Sequence, residues 1–478
     1  MFKVKHKNKY EEKIEKLSQD NVGVTIRKLC NNKKIYVLYI SQITDRERVS
    51  SDIIKPILQY SCEENLTIDI ISKSVIYMDD IDIDNDENKI EDYILKGKSI
   101  IIIDDEDEYI IANTYKVEKR GIEGPQIQNL LRGPRDAFTE NFETNLSLIR
   151  YRIKDSSLRI DTYSIGERTK TSIAVVYLKD VTNPRYVNEI EKRLKKIKTD
   201  GIFESGYIEK FIFKDNYGIF PRAGMVERSD AACANLLKGK ICIIIEGSNF
   251  GLVVPQNFGE FLDAGDNHYE NTYVSVISKV LRIIALGMSL VLSSLYVALV
   301  SFNPDVLPGT YIVVLASSRV TVPVNALLEV TLMEVVTDIL KESSIRLPKP
   351  IGPAISIVGT IVIGQAAVSA GVVSSLTVII ISLSTMTSFA APDYTITSPI
   401  SLLKYVLIFI TGVFGLFGFV IGFTFIVINV TSIESLEVPY TAPIAPLNLK
   451  DLKNCILSDI TKEKERPSFF KTKDKKKQ

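Results

Sequence analysis

The sequence predicts an α/β soluble region of two related subdomains plus an all-α transmembrane bundle. Three observations carry this reading. Charged residues crowd both flanks of the chain but are sparse between Ile283 and Thr431. Before residue 281, short β-branched apolar runs alternate with segments of helical spacing. Two pairs of segments in that region also repeat each other in the same order.

The elements follow in chain order. Residues 1–33 are charged and read as an N-terminal arm. Residues 34–131 form subdomain 1. In it, 35–41 and 100–103 are buried strands, and 49–60 is a helix with Ile53, Ile54, Ile57 and Leu58 on one face. The acidic stretch 79–91 reads as a loop. Residues 132–280 form subdomain 2. There, 135–154 is expected to be a helix, 172–178 a strand, 184–198 a helix opened by a proline, 231–237 a helix and 241–245 a strand. The run beginning at Ile35 matches that beginning at Ile173, an offset of 138. Leu95-Lys96-Gly97-Lys98 matches Leu237-Lys238-Gly239-Lys240, an offset of 142. Two related strand–helix–strand units follow from this.

The transmembrane bundle is placed at 281–433. Residues 283–302 carry no charge over a length that crosses roughly 30 Å of hydrocarbon. Residues 351–391 fit two short spans turning near Gly371, and 406–433 is a further span. The segment 306–345 is broken by Pro308, Arg319 and Pro323, so it reads as re-entrant or interfacial. Four spans plus this segment put both termini in the cytosol, as the Lys and Arg at both ends require. Residues 434–478 are then a cytosolic, lysine-rich tail, drawn to the inner leaflet or simply solubilising.

Composition narrows the function. The 478 residues hold 58 basic and 58 acidic side chains, which gives no whole-chain signal for nucleic acid. The five cysteines are odd in number and form no C-x-x-C, so no disulfide framework is expected. His6 and His268 are the only histidines, too few for a zinc site. Without an apolar stretch behind its first residues, the chain shows no secretory signal, and the first membrane helix is expected to direct insertion. No phosphate-binding loop, dinucleotide fingerprint, nucleophile elbow or zinc-protease motif occurs, so neither an enzyme nor a cofactor is expected.

Three groups of residues stand out. Glu329, Glu334 and Asp338 lie on one broad helical face between apolar spans. They form either a cation pathway, as carboxylate rings do in channels, or the wet face of an interfacial helix. Gly364, Ala367, Gly371, Gly418 and Gly422 are small residues suited to close helix packing. Arg135, Asp136, Glu140, Asn141, Asn145 and Arg150 share the expected helix 135–154, where the spacing brings Asp136 and Glu140 together.

Further motifs run in a fixed order: Arg132-Gly-Pro-Arg-Asp-Ala-Phe-Thr-Glu-Asn, Asn145-Leu-Ser-Leu-Ile-Arg, Gly166-Glu-Arg-Thr, Glu204-Ser-Gly-Tyr, Glu227-Arg-Ser-Asp, Arg346-Leu-Pro, Gly364-Gln-Ala-Ala-Val and Pro439-Tyr-Thr-Ala-Pro. In this order they resemble the A subunit of GerA-type spore germinant receptors, from about Gly133 to Pro446. The resemblance implies a multi-pass protein of the spore inner membrane that forms an oligomeric channel. It also implies a transporter-like B subunit and a lipoprotein C subunit as partners, with release of monovalent cations on germinant binding. Residues 135–150 resemble the family's signature segment and are expected at a subunit contact. Two places depart from the family pattern: Ser229 stands where a proline is usual, and Arg319-Val-Thr-Val-Pro-Val-Asn replaces Arg-Glu-Gly-Val-Pro-Phe-Pro. Alternatives are a related sporulation membrane protein associated with dipicolinic-acid transport, a secondary transporter and a membrane-anchored scaffold.

Overall fold

A computed structural model describes residues 23–30, 34–60, 66–104, 106–116, 133–213, 218–346, 362–457 and 464–477, together with residues 10, 13, 14, 17, 124, 125 and 128. The chain divides into two units. The first comprises Met1–Asn216, Ala223–Pro255 and Lys464–Gln478; the second comprises Tyr217–Arg222 and Gln256–Glu463.

The first unit holds two five-stranded sheets. One contains β1 (Val24–Cys30), β2 (Lys34–Ile40), β3 (Ile81–Asp84), β4 (Ser99–Ile103) and β5 (Tyr109–Ala112), in the spatial order β1-β2-β4-β5-β3. The other contains β6 (Leu158–Ile165), β7 (Thr171–Leu178), β8 (Gly224–Val226), β9 (Ile241–Ile245) and β10 (Gly251–Val254), in the order β6-β7-β9-β10-β8. The two orders are the same. The registers agree as well: Val37 pairs with Ile101 and Val175 with Ile243, at the two sequence offsets. The internal repeat is therefore structural. Every pairing is antiparallel, so the helices between strands are not the crossovers of a parallel sheet.

The central strands β4 and β9 are continuous apolar runs because both their faces are covered. Ile101 and Ile103 join Ile53 and Ile57 in one cluster, while Ile100 and Ile102 join Ile90 and Ile94 in another. Each such burial contributes roughly 1.5–3 kcal/mol.

The sequence expectations need correction in several places. The acidic stretch 79–91 contains β3 and the start of α1 (Lys89–Leu95). An edge strand needs no continuous apolar run, and β3 alternates Ile with Asp. Residues 49–54 form a π-helical turn before the short helix Lys55–Gln59. Pro56 lacks the amide of a regular ladder, and Leu58 turns outward instead of sharing the buried face. Residues 135–141 are not helical. Helix α2 starts at Phe142, where Asn141 caps it by accepting from the Thr144 amide at 3.0 Å. The segment before it is extended and forms a β-bridge between Ala137 and Arg228. Three further helices complete the second subdomain: α3 (Pro184–Lys195), α4 (Ser205–Ile212) and α5 (Ser229–Leu237).

The tail also differs from expectation. Residues 464–477 pack onto the first unit, where Phe470 is fully buried. A lysine-rich composition does not show this, because one aromatic side chain supplies the anchor.

Among its described residues the second unit is helical apart from the two-residue strands β11 (Glu434–Ser435) and β12 (Val438–Pro439) and its connecting loops. Its helices are α6 (Thr272–Ser301), α7 (Gly309–Arg319), α8 (Ala326–Arg346), a helix at 362–369, α9 (Ser375–Ser388), α10 (Thr397–Ser432) and α11 (Leu449–Leu457). Among the described residues, α6 and α10 are long and apolar enough to cross a membrane. The first part of the expected pair of spans at 351–391 lies outside the described residues. Between 362–369 and α9 the chain turns at Gly371, whose φ is +67°.

Helix α10 is not one continuous helix. Gly415 has φ +65° and ψ −146°, a conformation essentially restricted to glycine. Beyond it the chain folds back. A Cβ on Gly422 would lie 2.9 Å from Leu407 Cδ1, and one on Gly418 would lie 2.5 Å from the Ile410 carbonyl. In a straight helix residues 407 and 422 would be about 22 Å apart. Helix α10, which contains the expected single span at 406–433, is therefore a helical hairpin with two arms of roughly 25 Å each. A Cβ on Gly415 itself would meet Phe302 at 2.8 Å. Gly415→Ala should lower stability by about 1–3 kcal/mol, read as a fall in the thermal midpoint of the detergent-solubilised protein. An unchanged midpoint would show that the reversal tolerates a side chain.

A buried charge network in the helical unit

Helix α8 carries the acidic candidates, but not on a wet face. Glu329 and Glu334 are 1% and 0% exposed. Glu334 Oε2 accepts from Lys404 Nζ of α10 at 2.5 Å, and its Oε1 accepts from Ser293 Oγ of α6, also at 2.5 Å. Glu329 Oε1 accepts from the Ser374 amide at 2.5 Å, and Arg319 Nη2 lies 3.5 Å from its Oε2. Asp338 accepts from Tyr405 Oη at 2.6 Å. The interfacial reading of this face is thus overturned for Glu329 and Glu334. The reason is electrostatic: a carboxylate leaves water when a cation and hydrogen-bond donors replace its hydration.

Further polar groups extend the network. Thr377 Oγ1 donates to Tyr296 Oη at 2.9 Å, and Ser384 Oγ donates to the Ser289 carbonyl at 3.3 Å. Lys341 Nζ donates to Ser388 Oγ at 3.3 Å. A small cleft opens beside the ion pair, with Ser289, Ser388, Ser401 and Lys404 in its lining. The network therefore joins α6, α7, α8, α9 and α10 through groups that carry or neutralise charge. It combines buried carboxylates, a tethered ammonium and hydroxyl oxygens. Among the described residues, no group of three or more His, Cys, Asp or Glu side chains is placed to hold a metal ion.

Lys404 is the residue that sequence reasoning missed. It sits two positions before the apolar run at Val406 and looks like its polar boundary. Yet a lysine inside an apolar helix demands a carboxylate partner, and that rule would have pointed to α8.

The small residues separate. Gly418 and Gly422 serve the α10 hairpin, as described above. Gly364 faces Val378 of α9, with Val378 Cγ1 3.3 Å from a Cβ placed there, and Ala367 packs on the cluster around Val330 and Ile381. Gly371 takes the left-handed turn against the Thr321 carbonyl.

The 135–150 residues are used within the first unit. Arg152 Nη2 donates to both oxygens of Asp136, at 2.6 and 2.8 Å, and Ser229 Oγ donates to the same carboxylate. Burial alone would raise the Asp136 pKa, but the Arg152 and Ser229 bonds outweigh it and hold the carboxyl below its usual range. Ser229, where the family pattern has proline, thus gains a defined partner. Asn145 is fully buried; its Oδ1 accepts from the Thr139 amide at 2.8 Å and its Nδ2 donates to the Thr139 carbonyl at 2.6 Å. Arg150 is 2% exposed, and burial, with Arg159 nearby, lowers its pKa to about 10. Arg135 and Glu140 are exposed. The helical neighbouring of Asp136 and Glu140 does not form, because both precede the Asn141 cap.

Comparison with known proteins places this architecture. The chain is 34% identical over 453 residues to spore germination protein KA of Bacillus subtilis (strain 168), covering 94% of this chain and 83% of that protein. It is 34% identical over 441 residues to spore germination protein GerLA of Bacillus cereus, covering 92% and 89%. An uncharacterized membrane protein of Bacillus subtilis (strain 168), YfkQ, is 32% identical over 419 residues, covering 88% and 82%. The crystal structure of the N-terminal domain of the A subunit of the Bacillus megaterium spore germinant receptor GerK3 aligns at 27% identity. That alignment covers 52% of this chain and 93% of that one, with a TM-score of 0.40. Residues 9–469 match the family described as Bacillus/Clostridium GerA spore germination protein. The chain belongs to the GerA family of spore germination proteins.

Proposed function

We propose that this chain is the A-type subunit of a spore germinant receptor in the spore inner membrane. In this reading it is an oligomeric, channel-forming component that couples nutrient sensing to cation release. A transporter-like B subunit and a lipoprotein C subunit are its partners, and both termini face the cytosol. Its domains are an N-terminal arm, two α/β subdomains, the helical bundle and the C-terminal segment. The observation that carries the channel reading is the buried Glu334–Lys404 pair with Ser293. Charged groups inside an apolar helical bundle are costly and mark ion pathways. The pair adds a mechanism: Glu334 accepts a permeating cation only when Lys404 withdraws. Asp338, one turn on, lies on the side of α8 that carries Glu334, while Glu329 faces Arg319 and the Ser374 amide. Arg135 and Glu140, exposed on the first unit, are the members of the 135–150 group suited to meet another subunit.

A membrane-anchored scaffold would be indifferent to these charges, and this separates the readings. Lys404→Gln leaves Glu334 buried without its cation and should cost about 3–5 kcal/mol, seen as reduced abundance in spores. Lys404→Gln with Glu334→Gln together should restore abundance. Glu334→Gln, compared at equal abundance, should change germinant-triggered potassium efflux from spores. Normal efflux in Glu334→Gln and in the double variant would remove the pore role and leave the scaffold. For topology, Tyr77→Cys and Lys476→Cys, in a background with the native cysteines replaced by serine, should react with an impermeant thiol reagent only after permeabilisation. Reaction from outside would place the first unit on the opposite side.

A further inference from the structure

Beyond their last strands, β5 and β10, the two repeats differ, and the C-terminal segment takes up the difference. In the first repeat the chain continues beyond β5 along the edge of its own subdomain. The Asp45 amide donates to the Thr114 carbonyl at 2.8 Å, and the Lys116 amide donates to the Ile43 carbonyl at 3.1 Å. Tyr115 covers the left-handed turn at Gly97, where a Cβ would lie 2.6 Å from its ring. In the second repeat the residues corresponding to Thr114–Lys116, at the offset of 142, are residues 256–258. These have already left: the chain passes into the second unit at Gln256.

The vacated place is filled from the far end of the chain. The Lys473 amide donates to the Val181 carbonyl at 2.9 Å, and Val181 is the repeat partner of Ile43. Asn183 Nδ2 donates to the Lys471 carbonyl at 3.1 Å, and Asn183 is the partner of Asp45. Thr472 covers the left-handed turn at Gly239, the partner of Gly97, and a Cβ there would collide with it. Residues 471–473 thus stand where 114–116 stand in the first repeat, at three matched positions. Phe470 anchors them. It is fully buried, with Lys240 Nζ 5.0 Å from its ring centre. Arg466 holds the segment in shape, donating to the Leu237 carbonyl at 2.8 Å and to Asp474 at 2.8 Å.

We infer that residues 464–477 are the displaced last segment of the second repeat, and that the helical unit is an insertion between that repeat's β10 and this segment. The surface made by Val181–Asn183 and Leu237–Lys240 has this chain's own C-terminal segment as its partner. The second subdomain is completed by it and holds the helical unit covalently at both ends. The inference stands on the repeat geometry and is independent of ion conduction.

The full-length protein, purified in detergent, tests it. With the native cysteines replaced by serine, Asn183→Cys with Lys471→Cys should form a disulfide within one chain. Failure to form it, or bonds only between chains, would overturn the in-chain seat. A chain ending at Glu463 should exchange the amides of Ile241–Ile245 about tenfold faster or more, and a synthetic peptide of residues 464–478 should reverse this. Unchanged protection in the truncated chain would show that the second repeat is complete without the segment. If the truncated chain does not accumulate, intact Phe470→Ala reads the same quantity. Faster exchange confined to the second sheet, with the first sheet unaffected, is the expected result, and unchanged exchange in both sheets overturns the inference.

Discussion

The helical unit depends on one constraint: charge that enters an apolar interior must be neutralised where it sits. Glu334 and Lys404 are 70 positions apart in sequence and are joined at 2.5 Å. Neither residue is stable alone in that environment, so the pair fixes how α8 and α10 face each other. Ser293 brings α6 to the same point, and Arg319 with the Ser374 amide does the equivalent for Glu329. The packing of five helices is thus specified by a few polar contacts. Apolar side chains in lipid-like surroundings discriminate poorly between neighbours, and polar contacts add that specificity.

Backbone geometry adds a second determinant. Gly415 and Gly371 both adopt positive φ where the chain turns. At Gly415 the turn converts a helix of 36 residues into two antiparallel arms. Gly418 and Gly422 then allow those arms to touch. The small-residue pattern therefore serves the chain's own packing at this hairpin.

The first unit rests on duplication. One antiparallel arrangement, built twice, accounts for the matching sheet orders, the matching registers and the two glycine turns at Gly97 and Gly239. The repeats part where the helical unit enters, and the resulting gap is closed by a segment more than 200 residues downstream. Duplication followed by insertion explains why a lysine-rich end carries a buried phenylalanine.

The sequence alone determined the repeat, the central strands β2, β4, β7 and β9, the helices α3 and α5, and the apolar character of α6 and α10. These are local patterns: both faces of β4 and β9 are covered, so their residues are uniformly apolar, and α3 opens with Asn183-Pro184. It also singled out Glu329, Glu334 and Asp338 as carboxylates between apolar spans. Only the tertiary structure decided what surrounds them. The partners of Glu334 come from α6 and α10, and no spacing rule links residues 293, 334 and 404. Edge strand β3 was hidden by its acidic alternation, and the extended start of the 135–150 segment by a helical spacing that the Asn141 cap interrupts. The hairpin at Gly415 and the seat of Phe470 were hidden for the same physical reason. Each depends on which distant surface the chain meets, and that is settled by packing across the fold, not by the order of neighbouring residues.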